Sequence, residues 1–115
     1  MTSPFVSGAP VWLLNAPIIT ADGVFHSTTL VLTEARTLVE KHGFCSAIGH
    51  ATTAALVSRL LQIECPVRRT DYVQLPGQKA LVLRLARRLC EGQVLLSVEE
   101  IEQVGYSFML ITREA

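Results

Sequence analysis

The sequence predicts a single α/β domain built on a mixed sheet of about five strands with flanking helices. Three observations carry this reading. The length, 115 residues, fits one domain, and half of the residues are hydrophobic, enough for a sizeable core. Short apolar or β-branched runs alternate with segments whose apolar residues recur at helical spacing. Turn and cap residues fall between them.

Residues 1–9 are rich in small residues and carry Pro4 and Gly8, and they read as a loose leader. The apolar run Val11 to Asn15 reads as a buried strand that stops before Pro17. Ala21-Asp22-Gly23 is a turn, and Val24 to Leu32 reads as a second strand, with Phe25, Thr28, Thr29 and Val31. Thr33 is placed as a helix cap with Glu34 in the first turn. That helix runs to about His42 with an apolar stripe of Ala35, Leu38 and Val39, and Gly43 ends it.

A second helix starts near Gly49-His50 and carries Ala54, Leu56, Val57, Leu60 and Leu61 on one face. Arg68 to Leu75 is predicted as a strand, followed by a turn at Pro76-Gly77. Leu81, Leu83 and Leu85 alternate with Val82, Arg84 and Ala86 in a half-buried strand pattern. Ser97 and Glu100 form a capping box for a short helix to about Val104, stopped by Gly105. Phe108 to Thr112 is the last strand. The expected order is β-β-α-α-β-β-α-β.

Ten basic and ten acidic side chains cancel, so the chain lacks the overall positive field of a general nucleic-acid binder. An anionic ligand has to be held by a local patch. Cys45, Cys65 and Cys90 are odd in number and widely spaced, which reads as reduced thiols in a cytoplasmic protein. No apolar run approaches the ~20 residues that span a bilayer, and the N-terminus does not read as a signal peptide. His26, His42 and His50 form no HxxxH pair, and the acidic residues show no DxD spacing, so no metal site and no cofactor is expected.

His50 is the first candidate for chemistry. A histidine at a helix start sits where backbone N–H groups point outward and favour an anion. Gly49 before it lets a ligand approach the backbone. Without further context, a packed histidine with no role accounts for the same residue. Arg68, Arg69, Arg84, Arg87 and Arg88 are five of the ten basic residues and lie within 21 positions. Guanidinium forks suit phosphate oxygens, although a solvated strand face explains such a run equally well. Arg84 and Arg88 share strand parity. Glu91 is a carboxylate able to hold a histidine ring, or else a loop-tip residue. Asn15 offers an amide at the end of a strand, or else forms a turn.

Leu13-Leu14-Asn15-Ala16-Pro17, Ser46-Ala47-Ile48-Gly49-His50-x-Thr52-x-Ala54, Val67-Arg68-Arg69 and Ala80-Leu81-Val82-x-Arg84-Leu85-x-x-Arg88-Leu89-x-Glu91-Gly92 together resemble one family. It comprises the viral anti-CRISPR ring nucleases and their bacterial relatives in type III CRISPR systems, and the resemblance covers about residues 11–113. It implies a two-fold homodimer that closes over cyclic tetra-adenylate and cuts it without a metal. Carried over, His50 is the catalytic histidine, Glu91 supports it, and Arg88 and Arg69 contact phosphates. Asn15, Ala16, Gly49 and Arg87 join the ligand pocket. Viral members place a serine where this chain has Ile18, and Thr20 is the nearest hydroxyl to replace it. Three other readings remain at this point: a sponge that binds the cyclic nucleotide without cutting it, a small DNA-binding regulatory protein, and a structural dimer with no ligand, which leaves the arginine cluster and the histidine at a helix start unexplained. The neutral charge and the lack of a helix-turn-helix pattern weigh against binding to duplex DNA.

Overall fold

The computed structural model describes residues 10–15, 19, 21–86 and 97–115. The predicted leader and the residues Ala16, Ile18, Thr20, Arg87, Arg88, Cys90 and Glu91 lie outside that set. The described elements are β1 (Val11–Leu14), β2 (Phe25–Leu30), α1 (Leu32–His42), β3 (Phe44–Ser46), α2 (Ala51–Leu61), β4 (Lys79–Leu85), α3 (Val98–Val104) and β5 (Tyr106–Arg113). The five strands form one mixed sheet in the order β2-β5-β4-β1-β3. β1 runs parallel to β3 and β4, and β5 runs antiparallel to β4 and β2.

Strand alternation sorts the side chains cleanly between the two faces. Val11, Leu13, Leu81 and Phe108 point into a core with Ala35 and Val39 of α1, all five apolar positions read for α2, and Ile101 and Val104 of α3. Leu14, Ala80, Val82 and Ile111 point the other way, into a smaller cluster with Ala47 and Tyr72. β4 has a neighbour on each side, and its Ala80-Leu81-Val82 run is buried on both faces. Continuous apolarity is what a central strand of this kind requires.

Three expectations need correction. The Arg68–Leu75 segment is extended but joins no strand ladder. Its alternation is real, with Tyr72 and Gln74 buried and Val73 and Leu75 exposed. The segment is a strap laid over the sheet, and side chains replace ladder bonds. Gln74 Nε2 donates to the carbonyls of Gln78 (2.8 Å) and Ile111 (2.9 Å), and the Leu75 N–H donates to Gln78 Oε1 (2.8 Å). Second, the fifth strand is instead β3, three residues that pair with β1. The element order is therefore β-β-α-β-α-β-α-β.

Third, α1 is capped at Val31, ahead of Thr33. Valine has no side-chain acceptor, so Glu34 alone closes the helix start by accepting the Val31 N–H at 3.1 Å. Thr33 lies inside the first turn, where its carbonyl accepts the Thr37 hydroxyl. The Ser97 cap of α3 is as read: Ser97 Oγ accepts the Glu100 N–H at 3.2 Å and donates to Glu100 Oε1 at 3.1 Å, and Gly105 closes the helix at φ 87°. Among the described residues, no helix is long and apolar enough to cross a membrane.

Candidate functional site

β1, β3 and β4 are mutually parallel, so their C-terminal ends lie along one end of the sheet. In open α/β sheets that end is where ligands are usually held. Asn15 leaves β1 there, and Ala47 to His50 lead from β3 into α2. A cleft of about 410 Å³ opens between them, lined by Asn15, Ala47, Gly49, Arg69, Thr70 and Asp71. Asn15, Gly49 and Arg69 were all expected to meet, although they are far apart in the sequence.

The strap supplies the cleft's second wall, and several contacts hold its beginning. Ser46 Oγ donates to the Pro66 carbonyl at 2.6 Å, Ser58 Oγ accepts the Cys65 N–H at 2.9 Å, and the Arg68 N–H donates to the Ile48 carbonyl at 2.8 Å. Just beyond the cleft the buried Tyr72 ring packs on Trp12, with centroids 5.0 Å apart. Arg69, Thr70 and Asp71 are thus a three-residue span between Arg68 and Tyr72, both tied to the body of the domain.

Gly49 has a second reason beside the one expected. A Cβ there would sit 2.8 Å from Arg69 Cγ and 3.6 Å from its Nε. The missing side chain admits Arg69, whose Nε donates to the Gly49 carbonyl at 3.3 Å. The glycine therefore seats the guanidinium arm across the cleft floor.

His50 is the N-cap residue of α2, with extended backbone (φ −117°, ψ 123°). Its side chain is exposed and makes no capping bond, and its carbonyl accepts the Ala54 N–H at 2.9 Å. His50 is not among the residues lining the cleft, and the first turn of α2 carries no acidic residue. The proposed partner of His50, Glu91, lies outside the described residues, as do Arg87 and Arg88. β4 ends at Leu85, and the expected parity of Arg84 with Arg88 falls on a residue outside the described set. Arg84 itself is exposed near the end of β4.

Three lining residues, Ala47, Thr70 and Asp71, were missed. Reading 68–75 as a strand hid the fact that consecutive residues of a strap can serve one cleft. No group of three or more His, Cys, Asp or Glu side chains capable of holding a metal occurs among the described residues. Cys45 and Cys65 are free thiols. Burial raises the Cys65 pKa above the usual thiol range, against a smaller opposing effect of its bond to Ser46.

Comparison with known proteins agrees with this architecture. The solved structure of B116 of Sulfolobus turreted icosahedral virus is similar over 90% of this chain and 99% of that one, with a TM-score of 0.67 and 26% identity. Uncharacterised protein 26 of Sulfolobus islandicus filamentous virus is 39% identical over 87 residues, covering 76% of this chain and 74% of the relative. Uncharacterised protein YddF of Bacillus subtilis is 30% identical over 102 residues, covering 87% and 94%. The STIV B116-like family model matches residues 11–108, nearly the whole of the described domain, and the chain belongs to that family.

Proposed function

We propose that this protein is a metal-independent ring nuclease that binds cyclic tetra-adenylate and cuts it, switching off type III CRISPR signalling. The observation that supports this most is the convergence of Asn15, Gly49 and Arg69 on one cleft at the C-terminal ends of parallel strands, with His50 next in sequence to Gly49 at a helix start. A guanidinium and a helix N-terminus both favour phosphate.

The cleft's 410 Å³ sits at the small end of ligand sites, which run to about 300–1,000 Å³, and a four-nucleotide ring exceeds it. A two-fold ring matches a two-fold pair of subunits, each holding part of it, so the active form is a homodimer.

In the reaction the ribose 2′-oxygen attacks the adjacent phosphorus, and the bond from phosphorus to the 5′-oxygen breaks. The 2′-hydroxyl proton is released to a base, and the leaving 5′-oxygen takes a proton from His50. The product is a linear chain ending in a 2′,3′-cyclic phosphate. Positioning and charge stabilisation by arginines carry the rest of the barrier.

The test is incubation with cyclic tri-, tetra- and hexa-adenylate in EDTA, with products followed by mass spectrometry. Cleavage persists in chelator, and a ring lacking 2′-hydroxyls stays intact. His50→Ala slows the reaction by about 10²–10⁴-fold, the usual worth of acid catalysis. A loss below about 10-fold removes His50 from that role. An intact ring that binds tightly identifies a sponge, and no binding of any ring overturns the proposal.

A further inference from the structure

Asp71 is out of place in a cleft that binds only phosphate. It lines the same cleft as Arg69, yet it is placed in neither a hydrogen bond nor an ion pair with any described residue. Arg69 is only two residues away and does not bridge to it; its Nε is engaged with the Gly49 carbonyl. The span that carries Asp71 is short and held at both ends, by the Arg68 N–H on Ile48 and by the Tyr72 ring on Trp12. The carboxylate is therefore presented to the cleft by an ordered strap.

A carboxylate next to a bound phosphate costs affinity through like-charge repulsion. It gains affinity only where it accepts a hydrogen bond from the ligand, and a bond to an ionised acceptor is among the stronger kinds.

We propose that Asp71 is a specificity-determining residue of this cleft, accepting a hydrogen bond from a neutral donor on the nucleoside. The candidate donors are the exocyclic amine of the base and the ribose 2′-hydroxyl. Arg69 and the α2 start then hold the phosphate, while Asp71 reads the nucleoside attached to it. This rests on the cyclic-oligonucleotide reading above.

The two roles predict opposite signs, which makes the test sharp. Affinities of cyclic tetra-adenylate, cyclic tetra-inosinate and cyclic tetra-2′-deoxyadenylate are measured for the intact protein, Asp71→Ala and Asp71→Asn, all in the His50→Ala background. A true contact weakens tetra-adenylate binding in Asp71→Ala by about 10- to 100-fold, the range for a bond to a charged acceptor. Asp71→Asn, which keeps an oxygen acceptor, falls between. If the amine is the donor, the inosinate ring binds the Asp71 protein and Asp71→Ala alike; if the hydroxyl is, the deoxy ring does. Tighter binding of every ring by Asp71→Ala marks Asp71 as a repelling bystander and overturns the proposal. An unchanged affinity overturns it too, as does equal weakening for all three rings, which marks a structural role of the strap. Failure of the Asp71-intact protein to bind any ring removes the functional reading and this one together, whereas binding with the wrong Asp71 pattern removes this one alone.

Discussion

One face of the sheet packs against three helices, and the other packs against a single extended strap. The helical face encloses the larger cluster, with Phe108, Leu13, Leu81, Ile101 and Leu60 at 1% exposure or less. The strap face holds the smaller cluster, and Trp12, Phe25 and Met109 there stay half-buried. Stability follows apolar area removed from water, so it is concentrated on the helical face. The cleft belongs to the other side of this division, because one of its walls is the strap. A segment held by a few side-chain hydrogen bonds can present consecutive residues to one cleft, which a laddered strand, alternating its side chains, does not.

The sharpest way to break this comparison is to remove one large side chain from each face. Phe108 is 1% exposed and meets Tyr106 edge-on at 6.2 Å between ring centroids. Phe108→Ala should cost about 3–5 kcal/mol, from lost burial and the cavity left behind. Its neighbour Met109 faces the strap and is half-buried, so Met109→Ala should cost less than half as much. Urea unfolding of the two variants checks this through the midpoint at constant slope. Equal costs would mean that the strap encloses a core as tight as the helices do.

Alkaline pH separates the faces in a second way. Burial pushes the Tyr72 phenol from 10.0 up to about 12. The neutral phenol is thus favoured by folding: this stability is fully present below about pH 10 and is lost as pH rises toward 12. A two-unit shift corresponds to about 2–3 kcal/mol by linkage. Burial raises the Tyr106 phenol as well, with Glu102 adding to it and Arg36 opposing. Tyr72→Phe removes the ionisable group from the strap, along with its 3.3 Å hydrogen bond to Gln78. The variant should lose distinctly less stability between pH 9.5 and 11.5 than the parent, measured by thermal melting. An unchanged slope would place the alkaline sensitivity elsewhere.

Much of this fold was legible in the sequence, and the failures are informative. The α2 stripe was read at all five positions because helical spacing over eleven residues is a redundant signal. The Ser97–Glu100 cap was read because its chemistry is local. β3 was missed because Phe44-Cys45-Ser46 is too short to show a period, and its pairing with β1 is non-local. The strap was misread as a strand because alternation reports which side chains face inward and is silent on where the backbone bonds go. At the site, Asn15, Gly49 and Arg69 were legible as residue types suited to phosphate. Their meeting was known only through a resemblance, and Asp71, acidic and unpaired, gave no signal at all.

Gly49→Ala gives the smallest expected change in stability and a clear change in function. The backbone φ at Gly49 is not positive, so alanine brings no backbone strain. The added Cβ meets Arg69 Cγ at 2.8 Å, and the arginine arm has to move off the cleft floor. Arg69 is exposed, so that movement should cost under about 1 kcal/mol of stability, the usual scale for surface changes. If Arg69 holds phosphate as proposed, ligand affinity should nevertheless fall about tenfold or more, since displacing such a group by an ångström is costly. Arg69→Ala should reduce affinity similarly, and the double variant should be little worse than either alone, because both changes remove the same contact. If the two losses instead multiply, Gly49 acts on the ligand directly, and the closeness of its backbone to the phosphate, rather than the seating of Arg69, explains why a glycine stands at the foot of α2.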